Sequence, residues 1–261
     1  MKGFMGAVKW ETILSLKTYA SYKIGLLMDM LVFTGTFIAI YMFGTNNTFA
    51  AFYETDGVQG GVLVIIGYIF WQNASAALGY CTGAISNETA RGIFEVRLQS
   101  KYPLEMIMFS QLLSASVIHV VTYAGIILFG EIMIGFSIKD IGFIFLAILV
   151  SYITIVGMYG MGLLFAGIAL IEKRVGSFII IIQTILLFVS NTLSPSRSEA
   201  VLLIPFTSGI ELVRKLYMHQ NDIALLTVLY IVINGLWFVV GRIVFRKFMM
   251  YERENGSFEN Y

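Results

Sequence analysis

The 261-residue chain is 58% apolar and only 13% charged, with a mean hydropathy of +0.82. That excludes a water-soluble globular domain, because no such fold hides so much apolar surface. A net charge of +1 gives no bulk electrostatic reason to expect nucleic acid or an acidic substrate, and the single cysteine, Cys81, excludes an intrachain disulfide framework and a paired-cysteine metal site.

Residues 1–23 read as a helix without a clean amphipathic face. Lys2, Lys9, Lys17 and Lys23, together with Trp and Tyr side chains, lay it along the inner membrane interface. The same lysines interrupt any apolar core of a cleavable signal peptide, so the first span is expected to do the targeting. A helical crossing needs roughly 20 apolar residues for about 30 Å of hydrocarbon. Six runs qualify: 24–44, 60–84, 104–136, 141–171, 177–193 and 223–245. They lack the alternation of barrel strands, and lipid obliges each to satisfy its own backbone hydrogen bonds, which makes them helices. The expectation is an all-α integral membrane protein, one transmembrane domain of six spans. The third and fourth runs exceed a straight crossing and must tilt, bend or project. Cys81, inside the second, reads as a small core residue.

Of the 17 Lys and Arg residues, 13 fall on one side of this arrangement. They lie in the N-terminal segment, in the 85–103 loop (Arg91, Arg97, Lys101), in the 172–176 turn and from Arg242 onward. Lys139, Arg197, Arg214 and Lys215 fall on the other side. Both termini are therefore expected in the cytoplasm. The loops are short: 45–59 and 137–140 outside, 85–103 and 172–176 inside, with a longer outer segment over 194–222. None has room for a soluble catalytic domain.

In the outer segment Ser194-Pro195 is expected to stop the fifth span, and Pro205 to break the next apolar stretch. Ser208 and Glu211 read as a capping box for a short helix, with Ile210, Val213 and Leu216 or Tyr217 on one side and Arg214 and Lys215 on another. Such a helix is able to dip into the outer leaflet as a re-entrant or interfacial element; the plainer reading is a surface loop with one helical turn.

Small residues at Ser75, Gly79 and Gly83 form a stripe suited to close helix packing, repeated more weakly at Gly162–Ala166 and Gly35–Ala39. Among intramembrane ionisable groups, Asp29 lies near the inner surface, within reach of Lys23 or a loop arginine, and Glu131 near the outer end of the third span. His119, midway along that span, is the deepest. It reads first as a packed, neutral, hydrogen-bonded histidine and second as a proton relay or ligand. Phosphate-loop, HExxH and GxSxG signatures are absent, and His119 and His219 are too far apart in sequence to suggest a metal site. The chain alone is not expected to be an enzyme or to bind a cofactor.

The most informative stretch is 86–103. It alternates Glu88, Arg91, Glu95, Arg97 and Lys101 with Ile93, Phe94, Val96 and Leu98, carries Gly92 in the middle and ends at Pro103. A short helix with a greasy and a charged side results, suited to a groove on another protein. Here the chain resembles the membrane subunits of type 2 ATP-binding-cassette exporters over nearly its whole length. Glu88, Gly92 and Glu95 resemble the Glu-Gly-Glu spacing of that family's loop after span two. Pro195, Pro205, Thr207, Ile210, Glu211 and Arg214 are similar to its final outer segment. Ile93-Phe94 stands where Thr-Leu is common.

The resemblance implies two six-span subunits, a second copy or a sibling permease, with two cytoplasmic ATPase subunits that bind the ATP and magnesium. Glu88, Arg91, Gly92, Phe94, Glu95, Arg97 and Leu98 would couple to the ATPase, with Glu172, Lys173 and Arg174 as a smaller contact. Pro195, Pro205, Glu211 and Arg214 would belong to the exit gate, and cargo would pass between the subunits along spans one, two and five. The function so implied is export of an amphipathic drug, peptide, lipid or glycan across a bacterial plasma membrane. Two other readings stand beside it: a gradient-driven carrier or channel using Asp29, His119 and Glu131, and a non-transporting membrane scaffold.

Overall fold

The computed structural model describes residues 2–100, 102–171, 176–196, 198–221 and 223–255. Among these residues the chain is helical throughout, with no strand. The helices are α1 (Lys2–Ser21), α2 (Lys23–Met42), α3 (Thr45–Tyr53), α4 (Gly57–Ala90), α5 (Phe94–Leu98), α6 (Leu104–Phe129), α7 (Ile138–Ile171), α8 (Gly176–Val189), α9 (Thr207–Tyr217) and α10 (Ala224–Asn255). A π-helical turn, Gly130–Ile134, extends α6, and a 3-10 turn, Glu199–Leu203, precedes α9.

Five helices are long and apolar enough to cross a membrane: Lys23–Met42, Gly57–Ala90, Leu104–Ile134, Ile138–Ile171 and Ala224–Glu252. The expected fifth span, 177–193, is shorter than its apolar run. α8 has 14 residues, about 21 Å at 1.5 Å per residue, which falls short of the hydrocarbon thickness. It ends well before Pro195. Asn191 takes a left-handed φ of 66° and the Ser190 and Thr192 hydroxyls bond each other at 2.9 Å, so local polar side chains stop the helix where proline was expected to.

Two further boundaries depart from the sequence reading. The 45–59 loop contains α3, and α4 runs on to Ala90, six residues past its apolar stretch. Asp56 starts α4 by accepting the Gln59 N–H at 2.7 Å. A capping box forms at α7, where the Ser137 N–H and hydroxyl donate to Asp140 at 2.8 and 2.7 Å. The box expected at Ser208 does not form: α9 begins at Thr207, and the buried Ser208 Oγ has no partner among the described residues.

α4 is the centre of the bundle, with 83% of its most apolar stretch buried, against 6% for α2. α7 packs along it, α10 packs on α7, α3, α8 and α9 lie on α4, and α1 and α2 lie on α6. The α7–α10 contact needs bare backbone. A Cβ on Gly241 would sit 1.8 Å from the Gly160 carbonyl oxygen, and one on Gly160 would sit 2.3 Å from that of Trp237. Dispersion at this range holds helices that lipid gives no hydrophobic reason to associate. The predicted small-residue stripe serves in part. The Ser75 carbonyl accepts from Gln183 of α8 at 2.8 Å and Gly79 faces the same side chain, while Gly83 meets open space. Gly162 abuts the Leu78 carbonyl, whereas Gly35 and Ala39 are exposed and a Cβ on Gly35 would meet open space. Cys81 is buried and free, as expected.

Candidate functional site

Asn73, Ser151 and Tyr123 form a polar contact in the middle of the bundle, while the buried ion pairs lie towards its two ends. At the end carrying the 86–103 stretch, the last turn of α4 buries Glu88. Gly92, with φ 66°, then turns the chain in a left-handed conformation that a side chain would oppose. α5 follows. Its first residue, Phe94, is buried against the core, a contribution of about 2 kcal/mol, and Leu98 packs there in part.

Arg97 faces inward as well. Its guanidinium bonds Glu88 of α4 through Nη1 and Glu11 of α1 through Nη2, the latter at 2.9 Å. Glu11 also accepts from Gln111 of α6, whose Oε1 accepts the Tyr80 hydroxyl of α4. One five-residue helix is thus tied to α1, α4 and, through Glu11, α6. What it leaves exposed is a small apolar and cationic face: Arg91, Gly92, Ile93 at 48% and Val96 at 70%. Glu95 stands on α5 between Phe94 and Val96.

Glu88 and Arg97, expected to reach a partner directly, therefore spend their charges within the chain. The second Glu88 oxygen is buried without a partner among the described residues. Glu172, Lys173 and Arg174 lie outside the described residues.

Beside this cluster, Glu105 in the first turn of α6 is 5% exposed. It bonds Arg242 at 3.3 Å and Arg246 at 2.7 Å, both from α10. Sequence counting had used these arginines for topology alone. An acid two residues after Pro103, at a helix start, was the signal available for Glu105.

The opposite end is organised by Arg214. The sequence placed it on the polar side of α9, yet it is fully buried. Its Nε and Nη2 donate to the Leu63 carbonyl of α4 at 3.0 and 2.8 Å, and Nη1 donates to the Asn191 carbonyl at 2.8 Å. The guanidinium carbon lies 4.4 Å from the centre of the Phe49 ring, a cation–π contact, and Gly67 makes room beside it.

Glu211 is its counter-ion at 3.6 Å. That carboxylate accepts the Asn191 amide at 2.6 Å and the Tyr53 hydroxyl at 3.1 Å. Burial, aided by the Glu211 charge and hydrogen bond, raises the Tyr53 phenol to about 12 despite Arg214. Tyr217 donates to Asp140 at 2.7 Å and is raised too, first by burial and then by that carboxylate. Of the expected gate residues, Glu211 and Arg214 meet in this network. Pro205 is buried nearby in the chain, its carbonyl accepting from Asn234 of α10 at 2.7 Å, and Pro195 is half-buried. Asn191 and Tyr53 were missed because nothing in the sequence brings positions so far apart to one carboxylate.

The ionisable groups of spans one and three do not form a cluster. Asp29 is exposed and, among the described residues, pairs with neither Lys23 nor a loop arginine. His119 packs edge-on to Phe33 at 6.0 Å with its Nδ1 buried, and among the described residues that atom lacks the expected hydrogen bond. Glu131 is exposed on the π-helical turn, twelve residues or about 18 Å of helix from His119. Compared with protein-family models, with characterised proteins and with solved structures, the chain matches none.

Proposed function

We propose that the chain is the permease subunit of an exporter driven by a separate ATPase, related to the type 2 ATP-binding-cassette membrane subunits. One observation carries this reading. α5 is clamped to α1 and α4 by Phe94, Glu88, Arg97 and Glu11, while Ile93 and Val96 remain uncovered. A partner that grips those two side chains grips a lever attached to two helices of the bundle, which is what transmission of nucleotide-driven motion requires. Lacking a phosphate loop, the chain must take its energy from elsewhere.

In this reading α8 and the buried 190–192 stretch together make a sixth crossing. Irregular backbone at membrane depth is tolerable when protein surrounds it, and Ser190, Asn191 and Thr192 are all buried. Both termini then lie in the cytoplasm of a bacterial cell, two such chains pair with two ATPases, and the cargo is amphipathic. The test uses the full chain, tagged and gently purified from its native membranes. Val96→Asp changes an exposed side chain with no packing role, so insertion and thermal unfolding should be unaltered while copurifying ATP hydrolysis is lost. Glu95→Arg should act likewise. Hydrolysis retained in both variants rejects the coupling role.

A second reading, gradient-driven transport using His119 with Asp29 and Glu131, is favoured by the buried His119 Nδ1, which has no partner among the described residues. It requires a flux that follows a pH gradient and stops in His119→Ala.

A further inference from the structure

Where the end of α5 and the start of α6 meet the last turns of α10, the protein leaves an open cavity of about 320 Å³. One wall is polar, with Arg97, Glu105 and Arg246; the other is apolar, with Leu98, Leu104, Met249 and Met250. Three arginines meet three carboxylates here, but unevenly: Arg97 bonds both Glu88 and Glu11, whereas Arg242 and Arg246 share the single carboxylate of Glu105, which leaves an unpaired positive charge on the α10 side alone.

The buried Glu105 fixes both guanidiniums while occupying few of their donors. It takes the Nε and Nη2 hydrogens of Arg246, at 2.8 and 2.7 Å, and only Nε of Arg242. Each guanidinium has five N–H groups, and these side chains are 49% and 36% exposed. Held forks with free N–H groups match the oxygens of a phosphate.

What kind of phosphate follows from the outer surface of α10. Leu225, Val228, Val232, Leu236, Val239, Ile243 and Met250 are each more than half exposed. They share one face of the helix by their spacing of threes, fours and one seven. Arg246 falls on that face too, between Ile243 and Met250. A stripe of hydrocarbon surface therefore runs down the helix and ends at a cation beside a cavity. Inorganic phosphate has no use for such a stripe. A phospholipid uses both parts, with chains along the stripe and the headgroup at its end. By the Lys and Arg distribution this end faces the cytoplasm, where the leaflet is rich in anionic lipid.

We infer that α10 and the start of α6 hold one anionic phospholipid of the inner leaflet. Its phosphate lies on Arg246, with Arg242 behind it, and an acyl chain follows Ile243 and Met250. A zwitterionic headgroup carries its own ammonium and gains less from the unpaired charge. The inference rests on the membrane orientation and not on any ATPase, so it can fail or stand apart from the coupling role.

The full chain, purified in neutral detergent, would be incubated with phosphatidylglycerol, with phosphatidylcholine of the same chain length, or with inorganic phosphate, and retention read by native mass spectrometry. Phosphatidylglycerol should be retained about tenfold over phosphatidylcholine, whose ammonium offsets the charge that the arginines meet. Arg246→Gln should abolish the preference and Arg246→Lys restore part of it. Met250→Glu, which touches no ion pair, should weaken phosphatidylglycerol binding without lowering thermal stability, so the test survives if Arg246→Gln unsettles Glu105. Equal retention of the two lipids, or a preference that persists in both Arg246→Gln and Met250→Glu, overturns the proposal. So does displacement of the lipid by millimolar inorganic phosphate, which would mark a free-phosphate site.

Discussion

The two ends of the bundle solve the same problem, arginine beside glutamate, in opposite ways. At the end proposed to face outward Arg214 has no exposed surface, and most of its donors go to backbone carbonyls of α4 and of the 190–192 stretch. At the end proposed to face inward Arg97, Arg242 and Arg246 are 21%, 36% and 49% exposed and bond carboxylates. A desolvated cation held by carbonyls cannot exchange partners without stranding itself, whereas a half-hydrated one trades protein oxygen for water at little cost. The Arg214 end is built to stay assembled and the α5 end to shift, which suits the coupling role proposed for α5.

The strongest way to break the comparison is Arg214→Leu. It leaves the buried Asn191 carbonyl without its donor and Glu211 without its counter-ion, a loss of about 3 kcal/mol. Thermal unfolding in detergent should fall by roughly 5–10 °C, with amide exchange over 190–196 rising most. Glu105→Gln should cost less, about 1 kcal/mol, because the two arginines it releases reach water. A melting shift for Glu105→Gln as large as that for Arg214→Leu would refute the contrast.

Alkaline pH sharpens it further. The Tyr53 phenol is held at about 12 by burial, with Glu211 adding to the shift and Arg214 opposing it, against an ordinary value near 10. The folded value is the higher one, so the unfolded chain gives up the proton first. Stability from this group is complete below about pH 10 and lost between 10 and 12, by about 0.8 kcal/mol at pH 10.5. The pH dependence of melting for the native chain minus that for Tyr53→Phe isolates this loss. Parallel curves would show the phenol to be hydrated.

Much of this arrangement was legible in the sequence. Of the six apolar runs expected to span, five are helices long enough to cross a membrane, because lipid leaves a continuous run no other structure, and the sixth holds only the shorter α8. The outer helix, the short helix after span two and the burial of Cys81 followed from local pattern. What was lost had physical reasons. Amphipathicity judged against water sends Arg214 to the polar face of α9, but its actual neighbours are carbonyls and an aromatic ring. α8 stops at Ser190 and Asn191, where the Asn191 side chain bonds the Ser196 backbone, well short of the helix-breaking Pro195. α3 was read as loop because Thr45, Asn46, Asn47 and Thr48 resemble turn residues. Glu11 and Arg97 pair across 86 positions, and no spacing rule spans that distance.

The smallest effect bears most directly on how the inner end moves. The Arg97 pairs with Glu11 and Glu88 are partly hydrated, and such pairs are worth about 0.2–1 kcal/mol each. Raising salt from 0.1 to 1 M shortens the screening length from about 10 to 3 Å, which should remove a few tenths of a kcal/mol. Amide exchange over 88–99 should then rise by less than about twofold, while 190–196 and the first turn of α9 do not respond. Phe94, buried beneath the same helix, is indifferent to salt, so α5 should loosen without detaching. An equal response at both ends would mean that water reaches Arg214 and that the outer network is no lock. No response at α5 would mean that Phe94 alone fixes it, and the lever would then hinge on packing, with Glu11→Gln silent.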